Sequence, residues 1–150
     1  MRHATAQHPD EAAQDRLREL TPQGREEART AGLALRALGE PIALILTSPY
    51  VRALRTGELV REALGSSPVL EAREELASGA SLQALFDAGA AGCGRGVLIV
   101  GHNPELSAFA GASLTPATVC RLDLDDQGRR RLAWRRTPSE LAELARSLPQ

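Results

Sequence analysis

The sequence predicts a three-layer α/β sandwich, a mostly parallel sheet with helices on both faces and an antiparallel hairpin at its edge. Three observations carry that reading. Two runs of strand length, Ile-Ala-Leu-Ile-Leu-Thr at 42–47 and Val-Leu-Ile-Val at 97–100, are apolar without alternation, as strands covered on both faces are. Stretches with apolar residues three and four apart alternate with them, the pattern of helices that cover such a sheet. Residues 118–124 and, in part, 130–135 alternate around Asp125-Asp126-Gln127-Gly128, which reads as a hairpin.

Taken in order, residues 7–19 are polar and aperiodic and read as a loop with at most a helical turn. Thr21 and Pro22 then open a helix, threonine as the capping acceptor and proline at the first helical position. Ala28, Ala31, Leu35 and Leu38 form its apolar stripe, Arg25, Glu26, Arg29 and Arg36 face water, and Gly39 closes it in a left-handed conformation. The strand at 42–47 breaks at Ser48-Pro49-Tyr50, and 51–64 read as a second helix ending at Gly65. Val69 and Leu70 form a short strand, 81–91 a short helix, and Gly92-Cys93-Gly94-Arg95-Gly96 a flexible link into the strand at 97–100. Asn103 is placed as N-cap and Pro104 as first residue of a helix to about Gly111. The hairpin arginines, 129–131 and 135–136, read as a solvated face protecting a sheet edge. Thr137-Pro138-Ser139-Glu140 is a capping box for a last helix to about Ser147.

At 150 residues, 43% of them apolar, the chain is sized for one domain spanning 1–150. Eighteen basic residues, all arginine, against nineteen acidic ones leave a net charge of -1, which gives no electrostatic footprint for nucleic acid or an anionic membrane. No run approaches the roughly 20 apolar residues of a membrane span, and no apolar signal region opens the chain. Cys93 and Cys120 lack zinc or disulfide-framework spacing. His3, His8 and His102 show no ligand spacing with the acids. The expectation is a cytoplasmic protein with two free thiols, no metal and no cofactor.

The chemistry gathers at three places. Arg2-His3 sets a guanidinium, able to clamp a phosphate bidentately, beside an imidazole able to act as nucleophile. Arg52 falls in the first turn of a helix, where backbone amides and the helix dipole already favour an anion. His102 stands at the carboxyl end of a buried strand, the rim at which ligands bind in open α/β sheets. Taken singly, an Arg-His pair at a terminus is ordinarily a solvated end, and a histidine at a strand end is more often a structural hydrogen-bonding group. Two histidines and two arginines on one rim point instead to a phosphate.

The order Arg2-His3, Leu20-Thr21-Pro22-Gln23-Gly24, Ser48-Pro49-Tyr50-Val51-Arg52-Ala53-Leu54-Arg55-Thr56 and Gly101-His102-Asn103-Pro104 resembles the histidine phosphatase superfamily, the phosphoglycerate mutase-like group. Within it the short, lid-free pattern resembles the bacterial phosphohistidine phosphatases. The resemblance implies His3 as the nucleophile that takes the phosphoryl group, and Arg2, Arg52 and His102 as the pocket that holds its oxygens. Ser48 and Asn103 are further candidates for contact with phosphate or substrate. Two guanidiniums and an imidazole supply the positioning and charge stabilisation that phosphoryl transfer needs, without metal.

An alkoxide leaving group needs a general acid. Among Glu71, Glu74, Glu75 and Asp87, Glu75 is the best placed candidate, although surface solvation is the blander reading for it. The P–N bond of phosphohistidine is labile, so that substrate tolerates a weak acid or none. The chain between Leu70 and His102 is short for a lid, and an open rim favours a phosphorylated protein, a phosphocarrier or phosphorelay domain, as partner. Two other readings stand beside it: a small-molecule phosphomonoesterase of the phosphoglycerate mutase type, and a non-catalytic phosphate-binding or interaction domain. The family places a central parallel strand immediately before its Arg-His pair. The expectation is therefore a gap in the sheet here and a natural chain that begins several residues upstream of Met1. Ala4 stands where many relatives carry glycine, a change of one methyl group.

Overall fold

The computed structural model describes residues 1–149. In chain order the elements are α1 (Pro22–Ala37), β1 (Ile42–Thr47), α2 (Val51–Leu64), β2 (Val69–Ala72), α3 (Leu82–Ala90), β3 (Gly96–Val100), α4 (Glu105–Ala110), β4 (Val119–Leu124), β5 (Arg130–Arg136) and α5 (Pro138–Ala145). Short 3-10 turns at Pro9–Glu11, Asp15–Leu17 and Glu74–Leu76 punctuate the loops. The local signals act as expected where they are self-contained. Thr21 accepts from the Gly24 N–H, Thr137 and Glu140 form the capping box, and Gly65 and Gly111 end their helices in the left-handed region.

The two apolar runs lie side by side in a parallel sheet of order β2-β1-β3, with Ile45 opposite both Leu70 and Leu98. Helices cover both faces, which is why neither run alternates. On one side Ala31 and Leu35 of α1, Val60 of α2 and Leu141 of α5 pack with Ile45 and Val100. On the other, Leu85 of α3 and Leu106 and Phe109 of α4 pack with Leu46 and Leu76. Burial of these side chains on both faces of one sheet supplies the main driving force, about 25 cal/mol per Å² of apolar surface. A Cβ at Gly32 would lie 2.6 Å from the Val60 carbonyl oxygen, so glycine is what lets α1 and α2 approach.

The antiparallel hairpin forms as expected, beside the parallel sheet. β4 and β5 form a sheet of their own rather than extending the edge of the parallel one. Residues 1–3 splice the two together. On one side the Met1 amine donates to the Ile99 carbonyl (2.8 Å), the Gly101 N–H to the Met1 carbonyl (3.2 Å) and the His3 N–H to the Gly101 carbonyl (3.0 Å). On the other the Arg2 N–H donates to the Thr118 carbonyl and the Ala117 N–H to the Arg2 carbonyl, each at 3.2 Å. Behind this splice β3 and β4 flank a groove of about 730 Å³ lined by Met1, Leu98, Val119, Cys120 and Trp134, among others.

Two smaller expectations are corrected, and a third gains a detail. α4 starts at Glu105 with Pro104 in the cap position, so Asn103 does not cap it. Leu38 falls past the end of α1 and is 37% exposed, outside the buried stripe. Arg130 is exposed, as expected, and its guanidinium lies over the rings of Phe86 (5.3 Å) and Phe109 (4.9 Å), shielding an aromatic pair at the end of one core.

Candidate active site

The carboxyl ends of β1 and β3, the first turn of α2 and the splice at residues 1–3 meet at one rim. His3, Arg52 and His102 are each buried there. The two imidazole rings lie 5.3 Å apart, and the Arg52 Nε–H donates to His3 Nε2 at 3.3 Å.

The protonation state of His3 follows from its partners. Nδ1 lies 2.8 Å from the Ala4 carbonyl oxygen, which can only accept, so Nδ1 carries the proton and Nε2 keeps its lone pair. Burial pushes the ring's pKa down to about 4. The Ala4 hydrogen bond opposes that shift, and the charges of Arg52, Arg2 and Arg18 add to it. His102 is pushed down to about 3, by burial first and then by His3 and Arg52. Both rings are neutral at neutral pH.

Around His3 Nε2 stand groups suited to an anion. Arg2 donates from Nη1 to the Leu114 carbonyl at 3.1 Å, while its Nε is buried with no partner among the described residues. His102 Nδ1 is in the same condition. Buried polar atoms are nearly always paired, and unpaired ones beside a cation suit a ligand with several acceptor oxygens.

Asn103 follows His102 and shares an acceptor with Arg2. Its Nδ2 donates to the Leu114 carbonyl at 2.7 Å and its Oδ1 accepts from Ser107 Oγ at 2.8 Å, so it braces the carbonyl that holds Arg2. Ser48 Oγ accepts from the Tyr50 N–H and lies 2.7 Å from His102 Nε2. Glu75 lies in the exposed turn after β2 and lines a separate hollow with Arg73, Ser81 and Asp87.

This constellation can be compared with known proteins. Residues 1–79 match the model of the histidine phosphatase superfamily (branch 1). The phosphohistidine phosphatase SixA of Escherichia coli (strain K12) is 31% identical over 157 residues, covering 94% of this chain and 93% of that protein. The chain belongs to the histidine phosphatase superfamily. It is a phosphatase, an enzyme of the hydrolase class. The structure of the protein histidine phosphatase SixA complexed with tungstate superposes with a TM-score of 0.86 at 26% identity, covering 94% of this chain and 96% of that one. A phosphoserine phosphatase from Entamoeba histolytica, solved with 3-phosphoglyceric acid, shares the fold at a TM-score of 0.68 and 14% identity, covering 93% of this chain and 96% of that one.

Several residues at this histidine phosphatase site escape a sequence reading. Thr56 Oγ1 accepts from the Ala4 N–H (3.1 Å) and donates to the Arg52 carbonyl (2.7 Å), tying α2 to the residue after His3. Thr5 is clamped by Glu27 through both its N–H and its hydroxyl. Asp15 receives both terminal nitrogens of Arg52, Nη1 on its carbonyl (2.7 Å) and Nη2 on its carboxylate (3.2 Å), while Arg18 Nη1 holds the other carboxylate oxygen at 3.1 Å. Burial pushes the Asp15 carboxyl up, but hydrogen bonds and charge from Arg18 and Arg52 outweigh it, and its pKa ends below the usual value. Within the aperiodic stretch 7–19 nothing in spacing distinguishes Asp15 from its neighbours. Among the described residues no group of three His, Cys, Asp or Glu is arranged to hold a metal ion, and no helix is long and apolar enough to cross a membrane.

Proposed function

We propose that the protein removes the phosphoryl group from phosphohistidine on another protein, with His3 as the nucleophile. His3 Nε2 forms a bond to phosphorus as the P–N bond of the substrate breaks, and the substrate ring, already protonated on its other nitrogen, keeps the P–N electron pair and leaves as neutral imidazole. Water then attacks phospho-His3, releasing phosphate and restoring the ring. Arg52, Arg2 and His102 hold the phosphoryl oxygens while their charge redistributes. The observation that carries the reading is the fixed proton on His3 Nδ1, which leaves the lone pair on Nε2, directed at the Arg52 Nε–H, at a rim where buried nitrogens of Arg2 and His102 are without partners among the described residues.

The leaving group favours phosphohistidine over a sugar or alkyl phosphate. An alkoxide needs a proton from a nearby acid. The carboxylate against Arg52 is Asp15, held ionised by two arginines, and Glu75 faces a different hollow. A protonated imidazole departs without such help. Between β2 and His102 the chain is largely spent on a turn, α3 and β3, which leaves little for a lid and supports a protein-borne phosphate. The likeness to SixA, whose name gives phosphohistidine as its substrate, supports the same choice.

The test is hydrolysis of a phosphohistidine peptide and of p-nitrophenyl phosphate, side by side with EDTA present, by this chain and by His3→Ala. The expected result is metal-independent turnover that favours the phosphohistidine peptide and vanishes in the variant, with acid-labile phosphate trapped on His3 during turnover. Equal activity of His3→Ala would overturn the mechanism, and a preference for the aryl ester would overturn the substrate.

A further inference from the structure

The hydrogen bonds around His102 leave one proton to be assigned. Ser48 is fully buried where β1 ends. Its Oγ accepts from the Tyr50 N–H at 3.1 Å, which occupies a lone pair and leaves the hydroxyl hydrogen to find an acceptor. Among the described residues the remaining partner of that oxygen is His102 Nε2, at 2.7 Å.

Only two arrangements are open to the neutral ring. With the proton on Nε2, His102 would donate to Ser48. The hydroxyl hydrogen would then be buried without an acceptor, and Nδ1 would be a buried lone pair without a donor. With the proton on Nδ1, Ser48 donates to Nε2, both atoms of that contact are satisfied, and the single unpaired group is the Nδ1–H. Leaving buried polar groups unpaired is costly, so the second arrangement wins by one satisfied group. It also makes the leftover group a donor, which an anion can use.

We propose that Ser48 is a positioning residue: by donating to Nε2 it fixes His102 as the Nδ1–H tautomer, and so sets a hydrogen-bond donor beside His3 for an oxygen of the phosphoryl group. This rests on the reading that His3 takes that group. Both rings then carry their proton on Nδ1 with opposite consequences. The Ala4 carbonyl consumes the proton of His3 and leaves a lone pair to attack. Ser48 consumes the lone pair of His102 and leaves a proton to donate. Ser48 itself, enclosed between Tyr50 and His102, acts through the ring and does not touch the phosphate.

The test is 15N NMR of the His102 ring in the full chain at neutral pH, alone and with inorganic phosphate or orthovanadate. A protonated Nδ1 and an unprotonated Nε2 are expected, with the Nδ1–H signal shifting as the anion binds. In Ser48→Ala the two tautomers should mix and anion affinity fall about tenfold, while Ser48→Cys, which keeps a weak donor, should recover part of it. A wild-type ring protonated on Nε2, or an Nδ1–H unmoved by saturating anion, would overturn the proposal whether or not Ser48→Ala folds. A protein that shows the expected signals but never phosphorylates His3 would uphold the role of Ser48 and sink the phosphohistidine mechanism instead.

Discussion

Burial is what keeps His3 fit for the proposed role of nucleophile, because a ring desolvated among arginines resists the proton that would cancel its lone pair. With its pKa near 4 and that of His102 near 3, phosphoryl transfer to His3 should hold across neutral pH and fail only as the pH approaches 4, read as the amount of trapped phosphoenzyme. The same shifts govern stability. Both rings bind protons more readily unfolded, at the ordinary value of 6.5, than folded. Stability is therefore full above pH 6.5 and lost as the pH falls toward 4. Urea unfolding at pH 7 and pH 4.5 should show a loss that shrinks in His3→Gln, and an unchanged slope in that variant would contradict it. Asp15 sets a different limit on the pocket. The Asp15 carboxylate, itself 56% exposed, competes with a phosphoryl oxygen for Arg52 Nη2. Removing that competitor in Asp15→Asn should tighten inhibition by phosphate roughly threefold, the scale of one solvent-screened ion pair. Weaker inhibition would mean that Asp15 chiefly orients Arg52. Arg52 and His102 are legible in sequence because one sits at a helix start and the other at a strand end, and His3 because it stands beside Arg2. Asp15 and Thr56 are not, since their value comes from contacts to residues 37 and 52 positions away.

At the scale of elements, the first turn of α1 is pressed against the chain that carries His3. Gly24, the last residue of Leu20-Thr21-Pro22-Gln23-Gly24, has no room for a side chain, because a Cβ there would overlap the Thr5 carbonyl oxygen. That carbonyl is already committed, since it accepts the Thr21 N–H at 3.0 Å. Gly24→Ala must push α1 off residues 3–5 or break this contact, and should cost about 3 kcal/mol in urea unfolding together with most of the activity. Gly39→Ala is the control. There a Cβ meets nothing within 4 Å, and only the positive φ of 66° opposes it, a cost of about 1 kcal/mol. Equal losses in the two variants would contradict the close-approach argument. Helices, strands and caps were readable wherever their determinants are local, as in the Thr137 box. Asn103-Pro104 misleads because its signal is also local while its use is not: the Asn103 side chain is spent on Leu114 and Ser107 instead of the helix end. The loop at 7–19 carries no periodicity because single long-range bonds order it, among them Arg18 Nε to the Gln7 carbonyl and Arg52 to Asp15.

For the molecule as a whole the weak point is the splice between its two sheets. Strand identities are legible in apolar runs, but their order is not. Nor does alternation in the hairpin say whether it joins the parallel sheet or stands apart, because both placements bury one face. What joins them is a three-residue bridge whose first residue has a buried amine. The Met1 amine, 2.8 Å from the Ile99 carbonyl, has its pKa pushed down by burial to about 6 from 8, with Cys120 opposing the shift slightly. A base that titrates lower folded than unfolded makes stability rise with pH, here between 6 and 8, and the full penalty applies below 6. At about 1.4 kcal/mol per unit, the swing is on the order of 2 to 3 kcal/mol. Acetylating the amine keeps an N–H for Ile99, removes the charge and places a small group at the groove between β3 and β4, so the rise between pH 6 and 8 should flatten and stability at pH 6 should increase. A longer apolar extension ahead of Met1, able to run extended along that groove, should raise stability further by pairing with the facing edges of β3 and β4 and covering Leu98 and Trp134. It should also stiffen the backbone that presents His3, so kcat should rise with it. An extended chain no more stable than the acetylated one would show that the groove does not accept a strand.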